Sequence, residues 1–286
     1  MAQQREVCIA CIQMEPVIGA KDANIAKSLA LVGAAADRGA QLAVLPELCD
    51  SGYVFETKEE AFALAEEVTR GKAVRAWQDI AAERSLFVVA GVNERDGDTI
   101  YNTAVVIGPA GLAGIFRKVH LWDRENLFFS PGNLGFPVFD TPFGRLATFI
   151  CYDGWFSESY RCCRLQEADI ICIPTNWVPM PGQPDNTLAM ANILVMAGAH
   201  ANSVIVAAAD RVGTERGQPF LGQSLIVNHM GWPVAGPASR DAEEILLATL
   251  DLAGARAGRQ LNEHNDLLQN RRPGMYGAML RPGMSV

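Results

Sequence analysis

Ile170-Ile171-Cys172-Ile173 is apolar at every position, and that continuity decides the fold class. A strand with one face in water alternates polar and apolar side chains, whereas one that is apolar throughout needs structure packed above and below it. Working outward, Val7 to Ile12, Leu42 to Leu45, Leu86 to Val92, Ala104 to Ile107, Leu146 to Ile150 and Val204 to Ala208 are similar short runs and read as strands. Between them, Asn24 to Arg38, Glu59 to Arg84, Glu158 to Glu167 and Asn186 to Ala201 carry apolar residues at three- and four-residue spacing, the stripe of a helix lying on a sheet. The alternation predicts an α/β fold. With no linker, repeat or low-complexity tract, residues 1–286 read as one domain. From Ala255 to Val286 the periodicity fades and Arg, Asn, Pro and Gly accumulate, which predicts an extended tail, either disordered or packed on a partner subunit.

The chain has 286 residues, 49% hydrophobic and 20% charged, enough to bury a large core. A net charge of -8 argues against a nucleic-acid partner, since such proteins present basic patches to the phosphates. No basic segment followed by an apolar run opens the chain, and no apolar stretch approaches the roughly 18 residues of a membrane span, so a cytoplasmic protein is expected. Seven irregularly spaced cysteines do not suggest a disulfide framework.

Three segments place a reactive side chain at the end of an apolar run, where α/β folds gather their sites. Glu47, in Leu45-Pro46-Glu47-Leu48, is either a solvated strand-end carboxylate or a partly desolvated one whose raised pKa suits a general base. Lys118, within Arg117-Lys118-Val119-His120-Leu121, is either a surface lysine or a cation able to hold an oxyanion. Cys151 follows Thr148-Phe149-Ile150 and precedes a helical pattern. It is either an inert core thiol or a nucleophile at a strand-to-helix junction, where the helix dipole favours thiolate.

Together, in order and context, these segments resemble the Glu-Lys-Cys triad motifs of the nitrilase superfamily. The likeness extends over Ser51-Gly52-Tyr53, Glu125 before Ser130-Pro131-Gly132, Gly135 to Asp140, Asn262 to Asn265 and Arg271-Arg272-Pro273. It implies a four-layer α-β-β-α sandwich, a homodimer or larger assembly, and no metal or organic cofactor. It further implies that Cys151 attacks, Glu47 shuttles the proton, and Lys118 with the Tyr152 backbone amide holds the oxyanion. Glu125 would orient Lys118 or the substrate nitrogen, although Asp123-Arg124-Glu125-Asn126 could also be a simple polar loop. Where the family often has Pro-Glu after the cysteine, this chain has Ser157-Glu158, with Ser157 expected at the helix N-cap and Glu158 and Arg161 as supports of the turn.

Cys151-Tyr152-Asp153 looks like the amidase and carbamoylase branches rather than the Cys-Trp-Glu of true nitrilases. The resemblance therefore implies hydrolysis of a small carboxamide, with an N-carbamoyl amine or amino acid as the alternative, and a nitrile or a non-catalytic assembly role behind these. Tyr53, Tyr152, Trp155, Asn176 and Trp177 are the candidate substrate-binding residues, with structural roles equally open for Asn176 and Trp177. Other chemistries fit less well. Gly222-Gln223-Ser224-Leu225-Ile226 lacks the closing glycine of a serine-hydrolase elbow. Cys8 and Cys11, three apart on a strand, point to opposite faces and have no second ligand pair, so no zinc site is expected. His120 and His200 read as buried scaffold groups.

Overall fold

The computed structural model describes residues 6–184 and 187–276. In chain order its strands are β1 Glu6–Gln13, β2 Leu42–Val44, β3 Phe87–Asp96, β4 Thr99–Gly108, β5 Gly111–Arg117, β6 Val138–Asp140, β7 Arg145–Thr148, β8 Ile170–Pro174 and β9 Ile205–Ala209. There follow the short hairpin β10 Thr214–Glu215 and β11 Gln218–Pro219, then β12 Leu225–Val227, β13 Pro233–Ala235 and β14 Glu244–Asp251. The helices are α1 Lys21–Asp37, α2 Lys58–Leu64, α3 Lys72–Arg84, α4 Glu125–Phe128, α5 Ser157–Leu165, α6 Met190–Asn202, α7 Leu252–Ala257 and α8 Pro273–Tyr276.

Two six-stranded sheets form, in the orders β14-β1-β2-β3-β4-β5 and β13-β12-β9-β8-β7-β6. Val7, Ile9, Leu42 and Val44 of the first sheet pack between the sheets against Leu146, Ile170, Cys172 and Ile205 of the second. The opposite face of the first sheet meets α1 and α3 through Ile25, Val32, Val74 and Trp77, while α5 and α6 cover the second through Tyr160, Cys163 and Val195. The result is a four-layer α-β-β-α sandwich. The run at Ile170 is apolar throughout because one face of β8 meets the other sheet and the other face meets helices.

Glu59 to Arg84, expected as one helix, is two. Between α2 and α3, Glu66 bridges to Glu94 of β3, and its carboxylate accepts the Lys72 and Ala73 N–H groups at 3.1 and 2.9 Å. A helix start is thus supplied from outside the helix, which periodicity does not reveal. The helix expected from Asn186 begins at Met190, and Asn186 lies outside the described residues. Nor is residue 255 onward simply extended: α7 runs to Ala257, and Gln260–Asn262 pairs with Asn265–Asp266. Residues 277–286 of that tail lie outside the described residues. No helix among the described residues is long and apolar enough to cross a membrane.

Candidate active site

β2 and β8 run parallel to their neighbours, and their carboxyl ends lie at the same end of the sandwich. The chain leaving β2 carries Glu47 and the chain leaving β8 carries Asn176. The Glu47 N–H donates to the Thr175 carbonyl at 3.4 Å, and the Asn176 Nδ2 donates to the Glu47 carbonyl at 3.0 Å, so the two sheets are joined where the reactive groups stand. Gly91 of β3 makes this approach possible: its N–H donates to the Pro46 carbonyl at 3.0 Å, with no side chain between the backbones.

The residue after β5 is Lys118, buried with Glu47 and Glu125. Its Nζ donates to Glu47 Oε1 at 2.6 Å and to Glu125 Oε1 at 2.7 Å. Glu47 Oε1 also accepts from Asn102 Nδ2 at 2.6 Å, while Glu47 Oε2 has no protein hydrogen-bond partner among the described residues. Burial would lower the Lys118 pKa, but Glu125 and Glu47 outweigh it and hold the ammonium above its ordinary range. Glu47 is pushed up to about 7. Burial is the leading cause and Glu125 adds to it, against Lys118 and the hydrogen bond from Asn102. An acid poised there exchanges protons readily near neutral pH.

Cys151 opens a 3-10 turn, Cys151–Trp155, with a backbone φ of 45°, a left-handed conformation that a cysteine rarely adopts. Its thiol sits in the field of Glu47, Lys118 and Glu125 and receives the Asn176 backbone N–H. The expectation of a helix-stabilised thiolate is not met. Burial, then the Glu47 charge, push the thiol well above its ordinary pKa, and Lys118 only partly offsets them. The resting group is a thiol that needs a base beside it.

Asp153, buried two residues after Cys151, holds the turn. Its Oδ2 accepts the Ile150 N–H at 3.1 Å, and its Oδ1 accepts the His120 N–H at 2.9 Å and lies 2.7 Å from His120 Nδ1. His120 therefore is a scaffold group, stacked on Phe156 at 3.7 Å. His200, expected among apolar neighbours, is exposed on α6 with Nδ1 2.9 Å from the Met230 carbonyl. Ser157 is the first residue of α5, not its cap. It donates to Glu158 at 3.2 Å, and Arg161 reaches the Ala201 carbonyl at 2.9 Å, so neither Glu158 nor Arg161 holds the cysteine turn.

A cavity of about 20 Å³ opens onto Cys151, walled by Tyr152, Trp155, Asn176 and Trp177. Trp122, Val178 and Met180, which the sequence did not single out, complete it. The Trp177 backbone N–H donates to the buried Asp210 Oδ1 at 2.8 Å. Tyr53 stands beside the same cluster, where burial first and then the charges of Glu125, Glu47 and Cys151 raise its hydroxyl pKa. It lines a neighbouring cavity of about 70 Å³, and its hydroxyl donates to Glu125 Oε1 at 2.6 Å. Among the described residues no cluster of three metal-ligating side chains occurs.

Residues 8–260 match the family model described as carbon-nitrogen hydrolase. A Pyrococcus abyssi protein named nitrilase is 42% identical over 270 residues, spanning 94% of this chain and 99% of its own. A Francisella tularensis protein named citrullinase is 32% identical over 90% of this chain and 93% of its own. The crystal structure of a carbon-nitrogen hydrolase from Helicobacter pylori G27 superposes with a TM-score of 0.86 at 26% identity, covering 98% of this chain and 99% of that one. With its two-sheet sandwich and this match along nearly its whole length, the chain belongs to the carbon-nitrogen hydrolase family, the nitrilase superfamily, and is a hydrolase of non-peptide carbon–nitrogen bonds.

Proposed function

We propose that the protein hydrolyses a small carboxamide to its acid and ammonia through a thioester on Cys151. The observation that carries this reading is the buried Glu47–Lys118–Glu125 cluster, with Lys118 Nζ shared at 2.6 and 2.7 Å, set beside a protonated thiol at the mouth of an apolar cavity. Glu47 takes the Cys151 proton as sulfur bonds the amide carbon, and the carbonyl π electrons move to oxygen. Lys118 and the Tyr152 backbone N–H hold that oxyanion, worth about 3 kcal/mol per donor in comparable holes. Collapse breaks the carbon–nitrogen bond, and Glu47 returns the proton to the leaving nitrogen as ammonia departs. Water then gives a proton to Glu47 and its oxygen to the acyl carbon, and the sulfur leaves to regain the proton.

Glu125 orients Lys118, and the Tyr53 hydroxyl orients Glu125. Tyr152, Trp155, Asn176 and Trp177 surround the acyl group. No metal or organic cofactor is invoked. The tail from residue 255 exposes Leu261, Met275 and Tyr276, which supports its packing against a second copy; removing it should lower the mass seen by light scattering.

A second reading, cleavage of an N-carbamoyl group, is favoured by the similarity to a citrullinase. Ammonia release from carboxamides, N-carbamoyl amines and amino acids, and nitriles, each with Cys151→Ala alongside, decides among these. Turnover of carboxamides that is lost in the variant is expected. Co-release of carbon dioxide from carbamoyl substrates alone would transfer the assignment, and activity surviving without the thiol would sink the mechanism.

A further inference from the structure

We propose that Trp122 and Val178 form a partition that limits the acyl group, and that the substrate is an amide whose acyl part is short and uncharged. The inference rests on the amidase reading above and narrows it. The cavity at Cys151 measures about 20 Å³, the smaller of two adjoining cavities. Beside it lies the cavity of about 70 Å³ walled by Tyr53, Phe55 and Gln218. Trp122 and Val178 line both. The Trp122 ring is held edge-on against Tyr152, with centroids 4.9 Å apart. Its backbone N–H donates to Glu125 Oε2 at 3.1 Å, a bond that shortening the side chain leaves in place.

Charge points the same way. Among the described residues no Arg, Lys, His, Asp or Glu lines the cavity at Cys151. Lys118, the nearby cation, already serves two buried carboxylates. A carboxylate on the acyl chain would lose its water and face Glu47 and Glu125 with no cation in this cavity, a steep desolvation cost, because Arg124 lines only the adjoining cavity beyond Trp122 and Val178. An ionic group on the acyl chain is therefore selected against, and extra length is stopped at the indole.

The test compares kcat/KM for acetamide, butyramide, hexanamide and succinamate in the unaltered protein, Trp122→Ala, Trp122→Phe and Val178→Ala. Butyramide and succinamate differ by a methyl in place of a carboxylate, and the unaltered protein should favour butyramide by about tenfold or more. Trp122→Ala should raise the hexanamide-to-acetamide ratio by about tenfold, Val178→Ala should raise it less, and Trp122→Phe should barely move it. An unchanged ratio in both alanine variants, or succinamate used as well as butyramide, overturns the inference while the amidase reading stands. If no amide of any length releases ammonia, that reading fails and takes this one with it.

Discussion

The Asp153 carboxylate grips His120 by its backbone N–H, at 2.9 Å, and by its ring, at 2.7 Å. His120 follows Lys118 by two residues and Asp153 follows Cys151 by two, so one contact ties the chain after Lys118 to the turn that Cys151 opens. Asp153→Ala should leave the His120 and Ile150 N–H groups unpaired, at about 1–3 kcal/mol each. Asp153→Asn, which keeps one acceptor oxygen, should recover part of that. Thermal melts and kcat measured together check this: a variant that melts lower with full kcat would show that the contact stabilises the fold without placing the site.

Activity should rise with pH through a limb near 7, because Glu47 must lose its proton before it can take one from Cys151. The sign for stability is the reverse. The folded carboxyl sits near 7 against an ordinary value of 4.5, so the native chain holds an extra proton between these values and stability from this group falls as pH rises through that window. Asn102→Leu removes the 2.6 Å hydrogen bond that favours the ionised carboxylate. A pH profile of kcat/KM should show the limb moved upward in that variant, and an unmoved limb would mean that another group controls it.

Lys118→Ala should reduce kcat by about a hundred- to a thousandfold, the loss of one oxyanion donor. It also leaves Glu47 and Glu125 buried together without their shared cation, a cost of about 3–5 kcal/mol when both are charged. Protonation relieves that repulsion, so the melting temperature of the variant should drop more at about pH 8 than at about pH 5. Equal drops at the two pH values would argue against a charge-based cause.

Glu47, Lys118 and Cys151 were legible because each sits just beyond an apolar run, inside a local motif. Asn102 was not: it lies within β4, and only the pairing of β3 with β4 and the turn after β2 bring it to Glu47. Trp122 was hidden for the same reason, since it looks like one more residue of a polar loop until its ring meets Tyr152. Tyr53 was legible as a residue of the site, but sequence order says nothing of its place beside Glu125 in the adjoining cavity. The strands at Ile170, Leu42 and Val7 were plain from composition, whereas β6 and β13, three residues each and half-exposed, have no continuous buried run to mark them, and β14, an edge strand with polar ends, was not singled out either. The thiolate expectation failed because a dipole argument took no account of burial.

Gly91→Ala should damage activity more than its size suggests. A methyl there would press on Glu47 Cα and the Leu48 nitrogen, and would stand 2.7 Å from the Pro46 carbonyl oxygen, all backbone that cannot swing aside. Overpacking of this kind costs about 1–3 kcal/mol, and the cheapest relief is to move the Glu47 turn away from β3. That turn carries the base, so kcat should fall by up to about a hundredfold, the order expected for a displacement near 1 Å. Gly33→Ala on α1 is the matched control. Its added methyl would meet Arg84 and Ile80 side-chain atoms at 3.8 and 3.9 Å, ordinary contact, and alanine suits a helix interior better by about 0.5–1 kcal/mol. Full activity with a raised melting temperature in the control, beside a low kcat in Gly91→Ala, would locate the damage at the contact between β3 and the Glu47 turn. If Gly91→Ala keeps its kcat, the turn is more compliant than the close backbone packing implies, and Glu47 is held chiefly by Lys118, Asn102 and Asn176.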